Sequence, residues 1–381
     1  MIRVGFGVTV LDRSLKTGGG VDGIGSYTSE LQRALTRGVG IDLTRISFAR
    51  ALTRTGETSG AESSSVRFGI SALVSATTGL SFPEARWLRG KIDIMHATDH
   101  LIPKLGNLPV VATLMDAIPL SHPQWVSRSP LGRLKSALWR RSAKWANRII
   151  TISGFSKDQI VRHFRLPPDA ISIIPLGVGK HWFDSVPSET LLDTKKRLEL
   201  PDRFFLFVGT IQPRKNLRRV IDAYLGLPPG IRNEVPLIIV GRRGWNDGDT
   251  VDALVGGAHG PSVRWFGRLG DDDLRAIVKQ ASVLVFPSLC EGFGLPVLEA
   301  FAAGIPVITS NITALPEVAG DAALLVDPYD ISAISDAMME LIENEEMARA
   351  LCEKGRRRAE GYSWERTAAM TVDVYRQVLG I

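Results

Sequence analysis

Short apolar runs rich in β-branched and aromatic residues recur along the chain, separated by longer stretches whose apolar positions fall at helical spacing. The runs at 2–10, 92–96, 110–114, 149–153 and 171–175 read as buried parallel strands, as do those at 204–208, 237–240, 263–266, 283–286 and 306–309. Helical patterns lie between them. Tyr27, Leu31, Ala34 and Leu35 share one face, and Leu217, Val220, Ile221 and Tyr224 share another. Further amphipathic helices are predicted over 331–343, 347–360 and 364–379, the last with Ala368, Val372, Tyr375 and Leu379 together. Strand and helix alternating through both halves predicts two doubly wound α/β units with parallel sheets. A length of 381 residues, more than one ordinary core accommodates, agrees.

Composition narrows the class. Apolar residues make up 44% and charged residues 23%, the balance of a soluble globular protein. No apolar run reaches the ~20 residues of a membrane span, and no secretory signal precedes the first strand, so a cytoplasmic location is expected. Cys290 and Cys352 are too few for a disulfide framework or a four-cysteine zinc site.

The net charge of +6 hides an asymmetry. Residues 1–178 carry 23 Lys+Arg against 12 Asp+Glu, or +11; residues 179–381 carry 23 against 28, or −5. A helix predicted over 128–148 holds Arg128, Arg133, Lys135, Arg140, Arg141, Lys144 and Arg148 with no acid, and Leu131, Leu134, Leu138 and Trp145 on one side. Such a helix either solvates its basic face or lies on an anionic membrane surface. The asymmetry favours the membrane, which would make this a peripheral protein at its inner face. No nucleic-acid partner is expected. Residues 51–65, rich in Thr, Ser and Gly, read as a surface insertion.

Candidate chemistry gathers at 283–309. A strand at 283–286 ends in a loop with Glu291, Gly292 and Gly294, then Pro296 opens a helix over 297–303 that Gly304 stops. That geometry aims backbone N–H groups and a positive dipole end at an anion. Glu291 on the loop and Glu299 about one turn into the helix can flank one polyhydroxylated ligand.

A second signal follows the 204–208 strand, where Arg214 and Lys215 sit at a helix N-terminus. The dipole repels cations there, so the pair requires an anion, and a diphosphate meets that need. The ends of the 92–96 and 110–114 strands carry His96, Asp99, His100 and Asp116, where open α/β sheets place ligands.

Two tempting patterns are set aside. Gly18, Gly20 and Gly23 match a dinucleotide fingerprint with Asp42 beyond, but several residues separate them from the strand. Asp271, Asp272 and Asp273 suggest a metal motif; Asp271 reads instead as an N-cap and the acids as dipole partners, so no metal is expected.

Glu291 and Glu299, set in P-S-x-x-E-G-F-G-L-P-x-L-E-A, form an E-x7-E pattern that resembles retaining, nucleotide-sugar-dependent glycosyltransferase family 4 of the GT-B fold. The resemblance spans nearly the whole chain and is strongest over 204–327. It implies two Rossmann-like domains facing a cleft, an acceptor-binding one at 1–178 and a nucleotide-sugar-binding one at 179–363. The segment before Val178 resembles their linker, and a helix at 364–381 would cross back to the first domain. It also implies that the loop with Gly19 and Gly20 faces donor diphosphate and acceptor, and that Gly209, Thr210, Arg214 and Lys215 grip the diphosphate. Glu291, with Gly292, Phe293, Gly294 and Leu295, would meet sugar and phosphate, Glu299 the ribose, and Arg268 and Leu269 the base.

One departure stands out: relatives read His-Asp where this chain has Met115-Asp116. His96 or His100 could supply the imidazole, or each could be a structural histidine. Segments like P-R-K-N and V-G-x-x-G-W occur in relatives that are mannosyltransferases of bacterial surface polysaccharide, so GDP-mannose is the expected donor and no other cofactor is needed. A front-face reaction is expected, because no nucleophile and acid/base pair at the ~5 Å spacing of double displacement is evident. A nucleotide-sugar epimerase, which needs no acceptor, is the alternative. A non-catalytic sugar-nucleotide binder could dispense with Glu291, and a nicotinamide dehydrogenase rests only on the Gly18–Gly23 match.

Overall fold

The computed structural model describes residues 1–12, 23–38, 40–48, 62–63, 68–125, 130–245, 248–257 and 260–381. The chain divides into two units, 1–177 with 364–381, and 178–363.

The strands of the first unit are β1 (Ile2–Gly7), β2 (Ile41–Ser47), β3 (Glu62–Ser63), β4 (Ile94–Ala97), β5 (Val110–Thr113), β6 (Arg148–Thr151) and β7 (Ile171–Ile173). They form a parallel sheet ordered β3-β2-β1-β4-β5-β6-β7. Strand alternation sends side chains to two faces. Val4, Ile94, Val111 and Ile150 meet Val374 and Tyr375 of the Trp364–Leu379 helix, which seals one face. Met95, Val110, Ala112 and Ile149 belong to the opposite core, beneath Phe164, Leu138 and Trp139.

The second unit holds β8 (Phe205–Val208), β9 (Leu237–Val240), β10 (Val263–Trp265), β11 (Val283–Phe286), β12 (Val307–Ser310) and β13 (Leu324–Val326). These too run parallel, in the order β10-β9-β8-β11-β12-β13. The order reverses between β8 and β11, as it does between β1 and β4 in the first unit. At such a switch point the loops leave the sheet in opposite directions and open a crevice beyond the carboxyl ends of the strands.

Several elements depart from the sequence reading. The first strand stops at Gly7, and β2, β3 and β13 are additional, β3 falling inside the stretch read as a surface insertion. The basic helix is shorter, Pro130–Ala143. Asn147 leaves it, its backbone N–H donating to Val110 O and its Oδ1 accepting from Val110 N at 2.9 Å, so Arg148 enters β6 instead of the basic face. Arg148 Nε donates to Ser172 Oγ at 3.0 Å. Arg128, residues 51–61 and 64–65 of the insertion, and the side chains of Leu131 and Arg133 lie outside the described residues.

The N-cap of the Asp271–Gln280 helix is Gly270, in extended geometry, and Asp271 is its first helical residue. The acids sit in the first turn as dipole partners, and Asp273 pairs with Arg197. The Leu295–Ala303 helix begins two residues earlier than the proline signal indicates, with Gly294 at its N-cap and Gly304 closing it in left-handed geometry.

Candidate active site

The loops leaving β8 and β11 flank the switch point of the second sheet, and they carry the charged residues singled out in the sequence. After β8, Gly209 and Thr210 lead into a short 3-10 turn, Pro213–Lys215. Asn216 follows with φ of 62°, a left-handed conformation that asparagine tolerates better than most residues. Its buried amide donates to Pro287 O at 2.9 Å and to Pro328 O at 2.7 Å. Leu289 N donates to Arg214 O at 2.8 Å. Three loops are thereby fixed to one another before any charged side chain is considered.

Within that frame Arg214 Nη1 donates to Glu291 Oε2 at 2.8 Å and to Cys290 O at 3.1 Å. Lys215 Nζ lies 2.7 Å from Glu291 Oε1 and 4.6 Å from the centre of the Phe286 ring. The side chains of Lys215 and Glu291 are each 10% exposed, and that of Arg214 22%. The anion that the cations require at this helix N-terminus is therefore supplied by Glu291 in the free protein, a partner the sequence reading reserved for a diphosphate. Burial by itself would raise the Glu291 carboxyl, but the charges of Arg214 and Lys215 outweigh it and hold the group well below the usual range. Burial pulls the Lys215 ammonium down from its ordinary value, with Glu291 opposing and Arg214 adding to the decrease.

Glu299 lies in the Leu295–Ala303 helix whose N-terminal end faces this loop. Its carboxyl is pushed up to about 7, first by burial and then by the charge of Asp271, while Lys215 draws it down. Glu291 N donates to Thr313 Oγ1 at 3.3 Å, and Thr313 itself has a positive φ of 62°. Phe293 is buried with its ring 6.0 Å from Tyr362. Gly294, with φ of 129°, leaves room for Leu315: a Cβ there would stand 2.7 Å from Leu315 Cδ2. Leu295 and Gly292 complete the turn.

The loop after β9 crosses the β8 loop so closely that a Cβ on Gly241 would lie 1.8 Å from Gly209 O. Gly241 N in turn donates to Gly267 O at 2.6 Å, which ties in the Gly267–Leu269 loop carrying Arg268. Arg268 is exposed and Leu269 half-buried.

The first unit places its candidates differently. His96 is buried, with Nδ1 2.6 Å from Tyr375 Oη and Nε2 2.8 Å from Thr113 Oγ1. Thr113 Oγ1 also lies 2.8 Å from Tyr27 Oη. Burial lowers the His96 imidazole to about 3. Both ring nitrogens are engaged, so His96 is a structural histidine and not a substitute for the one missing at Met115. The His100 ring lies tilted by 32° against Trp139, 4.4 Å between ring centres, and burial with the nearby Lys135 charge lowers it to about 4. Asp116 Oδ1 accepts from Ile118 N at 2.9 Å, and Met115 beside it is buried. Gly19 and Gly20 lie outside the described residues. Among the described residues no group of three His, Cys, Asp or Glu side chains could hold a metal ion.

Asn216, Thr313 and Gly241 carry structural roles that the sequence reading did not assign. The P-R-K-N run contained the signal for Asn216, since an asparagine between a turn and a helix is a candidate for left-handed geometry. Nothing local marked Thr313.

Two doubly wound parallel sheets, one with an Arg-Lys-Glu constellation at its switch point, are the architecture of the GT-B glycosyltransferases. Residues 21–180 match the family model described as Glycosyltransferase Family 4, and residues 189–358 that described as Glycosyl transferases group 1. The chain is 34% identical over 266 residues to O-antigen chain mannosyltransferase B of Escherichia coli, covering 70% of each protein. It is 31% identical over 237 residues to the serotype-specific mannosyltransferase WbdA of Escherichia coli, covering 61% of this chain and 29% of that protein, so it matches less than a third of that relative. Among solved structures, sucrose-phosphate synthase from Thermosynechococcus elongatus aligns over 100% of both chains with a TM-score of 0.76 at 18% identity, a likeness of fold. The chain belongs to glycosyltransferase family 4.

Proposed function

We propose that this glycosyltransferase moves mannose from GDP-mannose to a saccharide or lipid-linked saccharide acceptor in surface polysaccharide synthesis, with retention at the anomeric carbon. The observation that carries the reading is the convergence of Arg214, Lys215 and Glu291 from two loops at one switch point. Mannosyltransferase relatives support the choice of sugar.

In the reaction the bond from the anomeric carbon to the phosphate oxygen breaks, and the departing GDP takes the electron pair. The acceptor oxygen forms the new bond on the same face, and its proton passes to the leaving phosphate. Negative charge grows on phosphate oxygens as the sugar becomes oxocarbenium-like, so donors already in place stabilise the transition state more than the ground state. Arg214 and Lys215 are those donors. Asn216 and the Leu289–Arg214 backbone bond hold them, so little reorganisation accompanies the reaction.

Diphosphate oxygens take over the cations, and Glu291 turns to sugar hydroxyls. Glu299 accepts from the ribose hydroxyls, and Arg268 with Leu269 borders the base. Gly209, Thr210 and Gly292–Leu295 line the phosphate side, with no metal ion required. Asp116, three residues beyond β5 in the first unit, is assigned to the acceptor side with Gly19 and Gly20.

Incubation with GDP-mannose, with and without a mannose-terminated acceptor, tests the reading. Acceptor-dependent release of GDP with an axial (α) linkage in the product is the expected result. A β linkage, or conversion of the donor in the absence of acceptor, contradicts it.

A further inference from the structure

The Phe68–Thr78 helix is folded inside out. Its sequence, FGISALVSATT, contains no charged residue, and its buried positions are Phe68, Ser71, Ala72 and Ser75. Apart from Phe68, the larger apolar side chains point the other way: Ile70 is 56% exposed, Leu73 46% and Val74 45%. Their spacing of three and four puts them on one stripe of the helix. Leu80, two residues past its end, is 63% exposed. An amphipathic helix of a soluble protein does the reverse, covering its large apolar residues and solvating its serines.

The neighbouring helix, Pro130–Ala143, packs against it and has no acid. It adds Leu134 at 54% exposure, with Lys135, Arg140 and Arg141 exposed along it and Lys144 just beyond. Lys135 Nζ stands 4.6 Å over the ring of Trp139.

We propose that Ile70, Leu73, Val74, Leu80 and Leu134, flanked by the Lys135–Lys144 cations, form a docking surface for an anionic lipid bilayer. The chemistry of the occupant follows from the pairing of the two helices. An exposed apolar stripe without charge enters the boundary between headgroups and acyl chains, and cations beside it remain among the headgroup phosphates. A second copy of this chain fits poorly, because the same basic helix would face itself, and residues 1–178 carry +11 overall. The 51–65 stretch of this chain offers little cover, since Leu52 is its sole large apolar residue. The surface deepens the reading of a lipid-linked acceptor and rests on it for its purpose, but its binding is measured with neither donor nor acceptor.

Flotation of the full chain with vesicles of phosphatidylglycerol and phosphatidylcholine, compared with phosphatidylcholine alone, tests the surface. The protein is expected to float with the anionic vesicles and to release as salt rises. L73S/V74S should weaken partitioning at least about ten-fold through lost apolar burial. R141Q/K144Q should weaken it about 25-fold, each cation near the surface being worth about five-fold. Both variants change exposed residues, so their melting temperatures and their turnover with a water-soluble acceptor should match the wild type. Wild-type protein that stays with the aqueous phase, equal flotation with neutral vesicles, or variants that float like wild type would each overturn the proposal. So would a dimer that L73S/V74S converts to a monomer without any flotation, which would make the face a contact between copies. Flotation without transfer to any mannose acceptor would leave this surface standing and remove the proposed function instead.

Discussion

Lys215 Nζ stands 2.7 Å from Glu291 Oε1 across the switch point between β8 and β11, so in the free protein the buried ammonium is already paired with a carboxylate. Under the proposed function the donor parts this ion pair, its diphosphate taking Lys215 and its sugar hydroxyls taking Glu291.

That relationship predicts opposite effects of one substitution on binding and turnover. A charge a few ångströms from a phosphate repels it by about 1 kcal/mol even at the dielectric of water. Glu291→Gln should therefore bind GDP about five-fold more tightly or better, while kcat falls by about 100-fold or more through lost sugar positioning. Titration calorimetry and steady-state rates read the two numbers. Weaker GDP binding in this variant would contradict the displacement.

Glu299 predicts a pH dependence. Its carboxyl titrates at about 7, so protonation rises as the pH falls through that value and the charged acceptor form fills above it. Ribose hydroxyls bond more strongly to the charged form. GDP affinity should increase from pH 6 to pH 7.5 in the wild type and stay nearly level over that window in Glu299→Gln. Identical profiles in the two proteins would remove the ribose assignment.

His96 makes the first unit acid-sensitive. Its folded-state value is about 3 against an ordinary 6.5, so the neutral form is native and the unfolded chain takes up the proton first. Stability is complete above about pH 6.5 and declines as the pH falls toward 3, by up to about 1.4 kcal/mol per pH unit. Tyr375→Phe removes a bond to that ring and should cost about 1–3 kcal/mol, because a buried nitrogen loses its partner. Thermal melts at pH 7.5 and pH 5 would measure both effects; an unchanged melting temperature in Tyr375→Phe would show that the bond contributes nothing.

Gly241 admits no side chain. A methyl group there would overlap Gly209 O, and backbone on both sides leaves nothing flexible to yield. Gly241→Ala should destabilise the second unit and displace the loop bearing Gly209 and Thr210, with KM for the donor rising more than ten-fold. Near-normal KM with a wild-type melting temperature would refute the close crossing.

Much of this was legible from periodicity. β9 and β11 are four-residue apolar runs with no competing pattern, and the Ile331–Glu343 and Trp364–Leu379 helices carry unbroken helical spacing, so their limits match the sequence reading. β2 was missed because IDLTRIS mixes polar residues into a strand that is only partly buried, and β13 because three residues show no period. Asp271 read as a cap because aspartate is among the favoured N-cap residues, yet Gly270 holds the position in extended backbone geometry.

Pairings across long separations were beyond the same reasoning. Arg214 and Glu291 stand 77 positions apart, and His96 and Tyr375 stand 279 apart. Sequence showed that the cations required an anion, but only the folded loops reveal that the protein provides one itself. The basic helix was legible in charge and wrong in length, because Asn147 turns the chain into β6.

The most direct measurement is a calorimetric titration of GDP into the wild type, Arg214→Ala and Lys215→Ala. Each charge-assisted bond to phosphate contributes about 1.5–3 kcal/mol, so each variant should lose about ten- to a hundred-fold in affinity while its fold is retained. GDP affinity unchanged in both variants would contradict the account, because the diphosphate would then be held elsewhere.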